Sequence, residues 1–179
     1  MELFTINHKP ITRVKRGFTL VELLVVITII AIMAALVLLV INPAEMARKA
    51  RDSTRFRDLE NARKAIDLQV AQGEVVPTGG PYNSRDHGRA CGSTSGWVRG
   101  IDLCEYLPVL PIDPVNDSTF QYQFQGDGSD YEIRVKVESE GNFASAENDG
   151  GSDNTCTEGV AGGGSNCWLE TGTNMSIIP

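Results

Sequence analysis

One carboxylate stands alone in the most apolar part of this chain. From Phe18 to Ile41 there are 24 residues without Gly or Pro, and Glu22 is the only charge among them. Three cations, Arg13, Lys15 and Arg16, come just before Gly17. A carboxylate in an apolar medium is costly unless a cation pairs with it or it reaches water at the interface. Two other sets of residues carry chemistry. Cys91, Cys104, Cys156 and Cys167 suit two disulfides in an exported domain, and three pairings are open. The local one, Cys91–Cys104 with Cys156–Cys167, closes loops of about a dozen residues, each contributing about 3 kcal/mol. An acidic set, Asp113, Asn116, Asp117, Asp127, Asp130, Asp149 and Asp153, offers the hard oxygen ligands that calcium prefers. A merely solvated acidic run is the plainer reading, and no EF-hand spacing occurs.

Other chemistry lacks its parts. There is no Cys-x2-Cys pair for zinc, and beyond residue 17 the only histidine is His87. Neither a Gly-x-Ser-x-Gly elbow nor a phosphate-cradling loop occurs, so nothing argues for an enzyme.

These residues need elements to hold them. About 20 apolar residues rising 1.5 Å each cross a bilayer, so residues 18–41 are long enough to span. The Lys/Arg flank on their N-terminal side puts that end in the cytoplasm and the remainder outside. An ordinary secretory signal fits poorly, because its apolar stretch is shorter and ends at a small-x-small site. Asn42-Pro43-Ala44-Glu45 reads as a helix restart, with Asn as cap, Pro at the first helical position and a bend or local melting there. Residues 44–72 then keep Met46, Ala50, Phe56, Leu59, Ala62, Ile66 and Val70 at steps near three or four, and Gly73 stops them. An unbroken helix over residues 18–72 would be about 80 Å long.

Residues 73–118 read as a Gly-, Pro- and Asp-rich connector with little periodicity. Strict alternation in 119–125 and 130–137 about Gly126-Asp-Gly-Ser129 predicts a β-hairpin. Its face of Phe120, Tyr122, Phe124, Tyr131, Ile133, Val135 and Val137 is expected to lie across the helix stripe. Residues 139–179 read as a surface loop with one short strand, and Gly162–Gly164 as a flexible tip. The charge is uneven. Residues 43–72 hold seven basic and five acidic residues, whereas 73–179 hold five and 16. An acidic head argues against nucleic-acid binding.

The string Arg16-Gly-Phe-Thr-Leu-Val-Glu-Leu-Leu-Val-Val26 resembles the N-terminus of type IV pilins and type II secretion pseudopilins. The resemblance implies cleavage after Gly17 by a membrane prepilin peptidase and N-methylation of Phe18. It makes Glu22 the glutamate at the fifth mature position. The amine freed at Phe18 could then neutralise Glu22 of a neighbouring copy and select one register between stacked helices. A looser likeness links Leu107-Pro-Val-Leu-Pro-Ile-Asp-Pro-Val-Asn-Asp117 to major pseudopilins of type II secretion and to some short type IV pilins; in such major pseudopilins the loop after the Pro-rich run binds calcium, although the stretches do not match residue for residue.

The expected fold is therefore α+β, a pilin fold: a long helix with its second half packed on a small antiparallel sheet. The expected divisions are a leader (1–17), a membrane and polymerisation helix (18–41), its amphipathic continuation (42–72) and an extracytoplasmic head (73–179). The expected partners are other copies through their N-terminal helices, the prepilin peptidase and methylase, the pilus or secretion assembly machinery, and the membrane. Assembly would place the head in a periplasmic or cell-surface filament. The alternatives are a monomeric, single-pass binding module that keeps its leader, and a minor tip pilin for adhesion or DNA uptake.

Overall fold

A computed structural model describes residues 17–40 and 42–179. Arg13, Lys15, Arg16 and the rest of the expected leader before Gly17 lie outside the described residues, as does Ile41. The chain divides into two units, Met1–Asn42 and Pro43–Pro179.

The first unit contains helix α1, Leu20–Val40. Leu20–Leu38 is long and apolar enough to cross a membrane, and none of it is buried among the described residues. A helix that is apolar on all sides needs lipid or other chains around it. The one polar group in mid-span, the Thr28 hydroxyl, donates to the Val25 carbonyl at 2.8 Å and so needs no outside partner.

The second unit starts with helix α2, Pro43–Ala71. Asn42 is not helical, and Pro43 takes the first position, where its missing N–H costs nothing. At the other end Gly73 has φ +105°. The Gly73 amide donates to the Val70 carbonyl and the Glu74 amide to the Gln69 carbonyl, which closes the helix in a Schellman turn.

The buried face of α2 differs from the expected stripe. It consists of Asp52, Arg55, Leu59, Ala62, Ala65, Ile66 and Gln69. Met46 is 60% exposed, and Ala50 is exposed too. Steps of three and four persist, but the first turns of the face are ionic rather than apolar.

Against this helix lies a four-stranded antiparallel sheet in chain order. Its strands are β1 (Thr78–Asn83), β2 (Gln123–Asp127), β3 (Tyr131–Lys136) and β4 (Trp168–Gly172). A single helical turn, α3 (Ser84–His87), follows β1, capped by the Asn83 side chain on the Asp86 amide. The expected hairpin is β2–β3, paired Phe124 to Ile133 and Gly126 to Tyr131. Its first strand starts later than the alternation suggests. The Asp117 carboxylate accepts the Thr119 and Phe120 amides at 2.7 and 2.8 Å, which folds that stretch into a turn. Phe120, Tyr122 and Phe124 are nevertheless all buried.

The connector proves to be core. Trp97, Val98, Ile101, Leu103 and Leu110 are fully buried and join Leu59, Ile66, Tyr122, Phe124, Ile133 and Val135 in one cluster. Trp97 Nε1 donates to the Pro111 carbonyl at 2.8 Å. The same region also supplies edge strand β1.

Residues 139–179 supply the one strand expected of them, β4, but are otherwise less of a surface loop than their composition suggests. They add a short helix, α4 (Phe143–Glu147), whose Phe143 and Ala146 pack with Val137 and Cys167. Gly162 and Gly163, read as a flexible tip, are buried. Gly163 has φ +70°, and a Cβ there would lie 2.4 Å from Cys167 Sγ. The glycine permits that close approach.

Candidate processing and assembly segment

The segment that includes Gly17, Phe18 and Glu22 is simple in geometry. Residues 17–19 are exposed and non-helical, and Phe18 is 75% exposed. Thr19 caps α1: its hydroxyl accepts the Glu22 amide at 3.2 Å, and its carbonyl accepts the Leu23 amide at 3.2 Å. Thr19-x-x-Glu22 is thus a helix-start pattern, and it places a carboxylate where the helix dipole favours one. That signal was legible in the sequence beside the apolar run. Glu22 itself is exposed, and no group among the described residues encloses it.

Gly17 has no structural reason to be glycine. A Cβ built there meets nothing within 4 Å, and its φ lies outside the left-handed region. The peptide bond that follows it sits in exposed, non-helical chain, the form a protease can take into a cleft.

Residues 12–38 match the family model described as the prokaryotic N-terminal methylation motif. The chain carries a prepilin-type N-terminus. The match spans Gly17, Phe18 and Glu22, the residues on which a prepilin-type signal depends. No curated protein and no solved structure matches the chain. The α+β architecture, an apolar N-terminal helix followed in sequence by a second helix and a four-stranded antiparallel sheet, agrees with a pilin fold.

The head carries the other expected site residues. Cys91 is bonded to Cys104, and Cys156 to Cys167, which is the local pairing. The first bridge ties the core-forming connector to itself, and Leu103 also donates to the Cys91 carbonyl at 2.9 Å.

The four aspartates named first for calcium do not converge. Asp113 is buried and holds Arg55 at 2.6 Å. Asp117 caps its own turn. Asp127 accepts the Ser129 and Asp130 amides at 3.0 and 2.8 Å across the hairpin turn. Those hydrogen bonds, from Asp130 and Ser129 in that order, hold its carboxyl below the usual range. Among the described residues no group of three or more His, Cys, Asp or Glu is arranged to hold a metal ion. This donor set does not fit a calcium cage, because Asp113, Asp117 and Asp127 already spend their oxygens on the fold.

An ionic clasp on α2 went unread in the sequence. Arg55 Nη1 donates to Asp52 Oδ1 at 2.8 Å and to Glu138 Oε2 at 3.1 Å. Arg51 grips Glu138 twice, at 2.7 and 2.6 Å. Asp52 also accepts the Glu138 and Ser139 amides at 2.9 and 2.8 Å. The Phe120 ring lies 4.8 Å from the Arg55 guanidinium carbon. Burial would discharge Arg55, but its bonds to Asp113, Asp52 and Glu138 outweigh that and raise its pKa. The Arg51 hydrogen bond holds Glu138 below the usual carboxylate range. The clasp fastens the helix to the Pro-rich run and to the chain leaving β3.

Proposed function

We propose that this chain is a filament subunit of the type IV pilin or type II pseudopilin kind. It is cut after Gly17, methylated on Phe18, and assembled side by side with other copies through α1. One observation carries the reading: a prepilin-type motif heads a helix that is apolar on every side and that the described residues leave uncovered. Such a surface is stable only in lipid or against other apolar helices.

Glu22 sits one turn into that helix with no enclosing group, and cleavage creates a cation four residues earlier. In a bundle, the Phe18 amine of one copy neutralises Glu22 of the next, because an unpaired charge among apolar helices costs several kcal/mol. The N-terminus before Phe18 is cytoplasmic during insertion, and the head lies beyond the membrane, where its two disulfides persist. Within this class, the Pro-rich Leu107–Asp117 run, pinned to α2 through Asp113, suits a major pseudopilin or a short type IV pilin alike.

The test is fractionation of the native host, followed by mass spectrometry of filament and membrane pools. Mature protein starting at methylated Phe18 in a sheared or secretion-dependent filament pool supports the reading. Unprocessed, strictly monomeric membrane protein makes it a binding module on a permanent anchor.

A further inference from the structure

The face of the sheet turned away from α2 is polar yet closed to water. Along β3, Glu132, Arg134 and Lys136 alternate with the core residues Tyr131, Ile133 and Val135, and all six are buried. On β4, Glu170 pairs with Arg134 and so lies one diagonal step from Glu132 on the same face. The two glutamates are 0% and 2% exposed.

Each carboxyl has one oxygen satisfied by backbone. Glu132 Oε2 accepts the Ile177 and Ile178 amides, both at 2.9 Å. Glu170 Oε2 accepts the Asp153 amide at 3.1 Å. The other oxygen of each, Oε1, is buried with no donor. Two adjacent buried acceptors without a donor repel when both groups are charged, and a single proton between them satisfies both.

The charges nearby do not supply another solution. Arg134 is committed to Asp153 at 2.6 Å, to Gln123 at 2.9 Å and to the Ile178 and Pro179 carbonyls at 3.1 and 3.3 Å. Lys136 donates to the Gly164 carbonyl. Both cations stack over Trp168, at 4.3 and 4.9 Å. Asp149 accepts the Glu170 amide at 2.6 Å and adds a further negative charge beside it. Four carboxyls thus share this closed face with two cations.

We propose that Glu132 and Glu170 share one buried proton, and that this proton locks the segment Ile177–Ile178 over the sheet. With the proton in place, Glu132 keeps one oxygen for the two isoleucine amides and the other for Glu170. Without it, two like charges face each other under that segment, and the closing segment loosens. Burial, foremost, and the neighbouring Glu132 push Glu170 up to about 8, so the lock releases in the mildly alkaline range.

A group that holds its proton in the folded chain and loses it on unfolding stabilises at low pH. Its contribution is complete below the ordinary glutamate range and disappears as pH rises through about 8. The experiment follows thermal unfolding of the full chain in detergent micelles from pH 5 to 9. Both Trp97 and Trp168 are buried in the head and report it. Wild type is expected to lose about 5 °C of Tm or more between pH 5 and pH 8.5. Glu170→Gln, whose amide donates to Glu132 without a titratable proton, is expected to lose that slope and to match or exceed wild type at pH 8.5. Glu132→Gln repeats the comparison should Glu170→Gln not fold.

Infrared spectra at pH 7 supply a readout independent of stability. A protonated-carboxyl carbonyl band present in wild type and missing from Glu170→Gln supports the pair. The same slope in wild type and both glutamine variants overturns it, as does a wild-type spectrum without that band. A Tm rise at pH 8.5 with millimolar calcium, seen in wild type and lost in Glu170→Gln, also overturns it, because a cation would then occupy the proton's place.

Discussion

Arg55 holds Asp113 by two parallel hydrogen bonds, Nε to Oδ2 at 2.6 Å and Nη2 to Oδ1 at 2.9 Å, and neither side chain is reached by solvent. The two residues are 58 positions apart, so this fork joins α2 directly to the Pro-rich run. Asp113 does a second task with Oδ1, accepting the Val115 and Asn116 amides at 2.8 and 3.2 Å. A buried ion pair contributes little net stability when whole, but losing one partner strands a charge out of water.

Arg55→Ala is therefore expected to destabilise the head by about 3–5 kcal/mol, leaving Asp52 and Asp113 uncompensated. Arg55→Lys retains the charge but not the fork, and should recover only part of that loss. Denaturant unfolding of the three proteins measures both. Equal stability of Arg55→Ala and wild type would show that the clasp does not hold the helix to the head.

The clasp also sets the acid limb of stability. The folded-state pKa of Glu138 is lowered, chiefly by the Arg51 hydrogen bond, so its contribution is present above the ordinary glutamate range and disappears as pH falls through the lowered value. Glu138→Gln should flatten the fall in Tm below about pH 4.5 while lowering Tm at neutral pH. An acid limb identical to wild type contradicts that assignment.

Why the clasp was hidden in the sequence is instructive. Asp52 and Arg55 stand three apart and continue the steps of Leu59, Ala62 and Ile66, but a stripe traced through apolar residues alone strayed to the exposed Met46 and Ala50. Their charges read as solvated because the partners, Asp113 and Glu138, are far away in sequence. Trp97, Ile101 and Leu103 were hidden for a related reason: irregular chain stapled by Cys91–Cys104 buries apolar residues without any period to show it. Alternation and turn chemistry, by contrast, revealed the β2–β3 hairpin, since register there follows from neighbours in sequence. The N-terminal motif was the most legible feature, because its chemistry lies in one uninterrupted string.

Removing the first bridge tests how far that irregular region depends on it. Cys91→Ser with Cys104→Ser should cost about 3 kcal/mol, measured by denaturant unfolding under oxidising conditions. A loss below about 1 kcal/mol would mean that Trp97 and its neighbours hold the connector without the bridge.

For assembly, Glu22→Val is expected to insert, to be cut after Gly17 and to fold its head, since the head is a compact unit of its own, Pro43–Pro179. It should fail to enter filaments. Sheared filament fractions compared with membrane fractions give the answer, and normal filament yield from this variant would remove Glu22 from the account.

The most direct measurement of the central claim is the N-terminus of the protein recovered from its own host. Intact-mass and N-terminal peptide analysis should show a chain beginning at Phe18, with one methyl group on its amine. A chain that still carries residues ahead of Phe18 in the filament or membrane pool would contradict processing and, with it, assembly through α1.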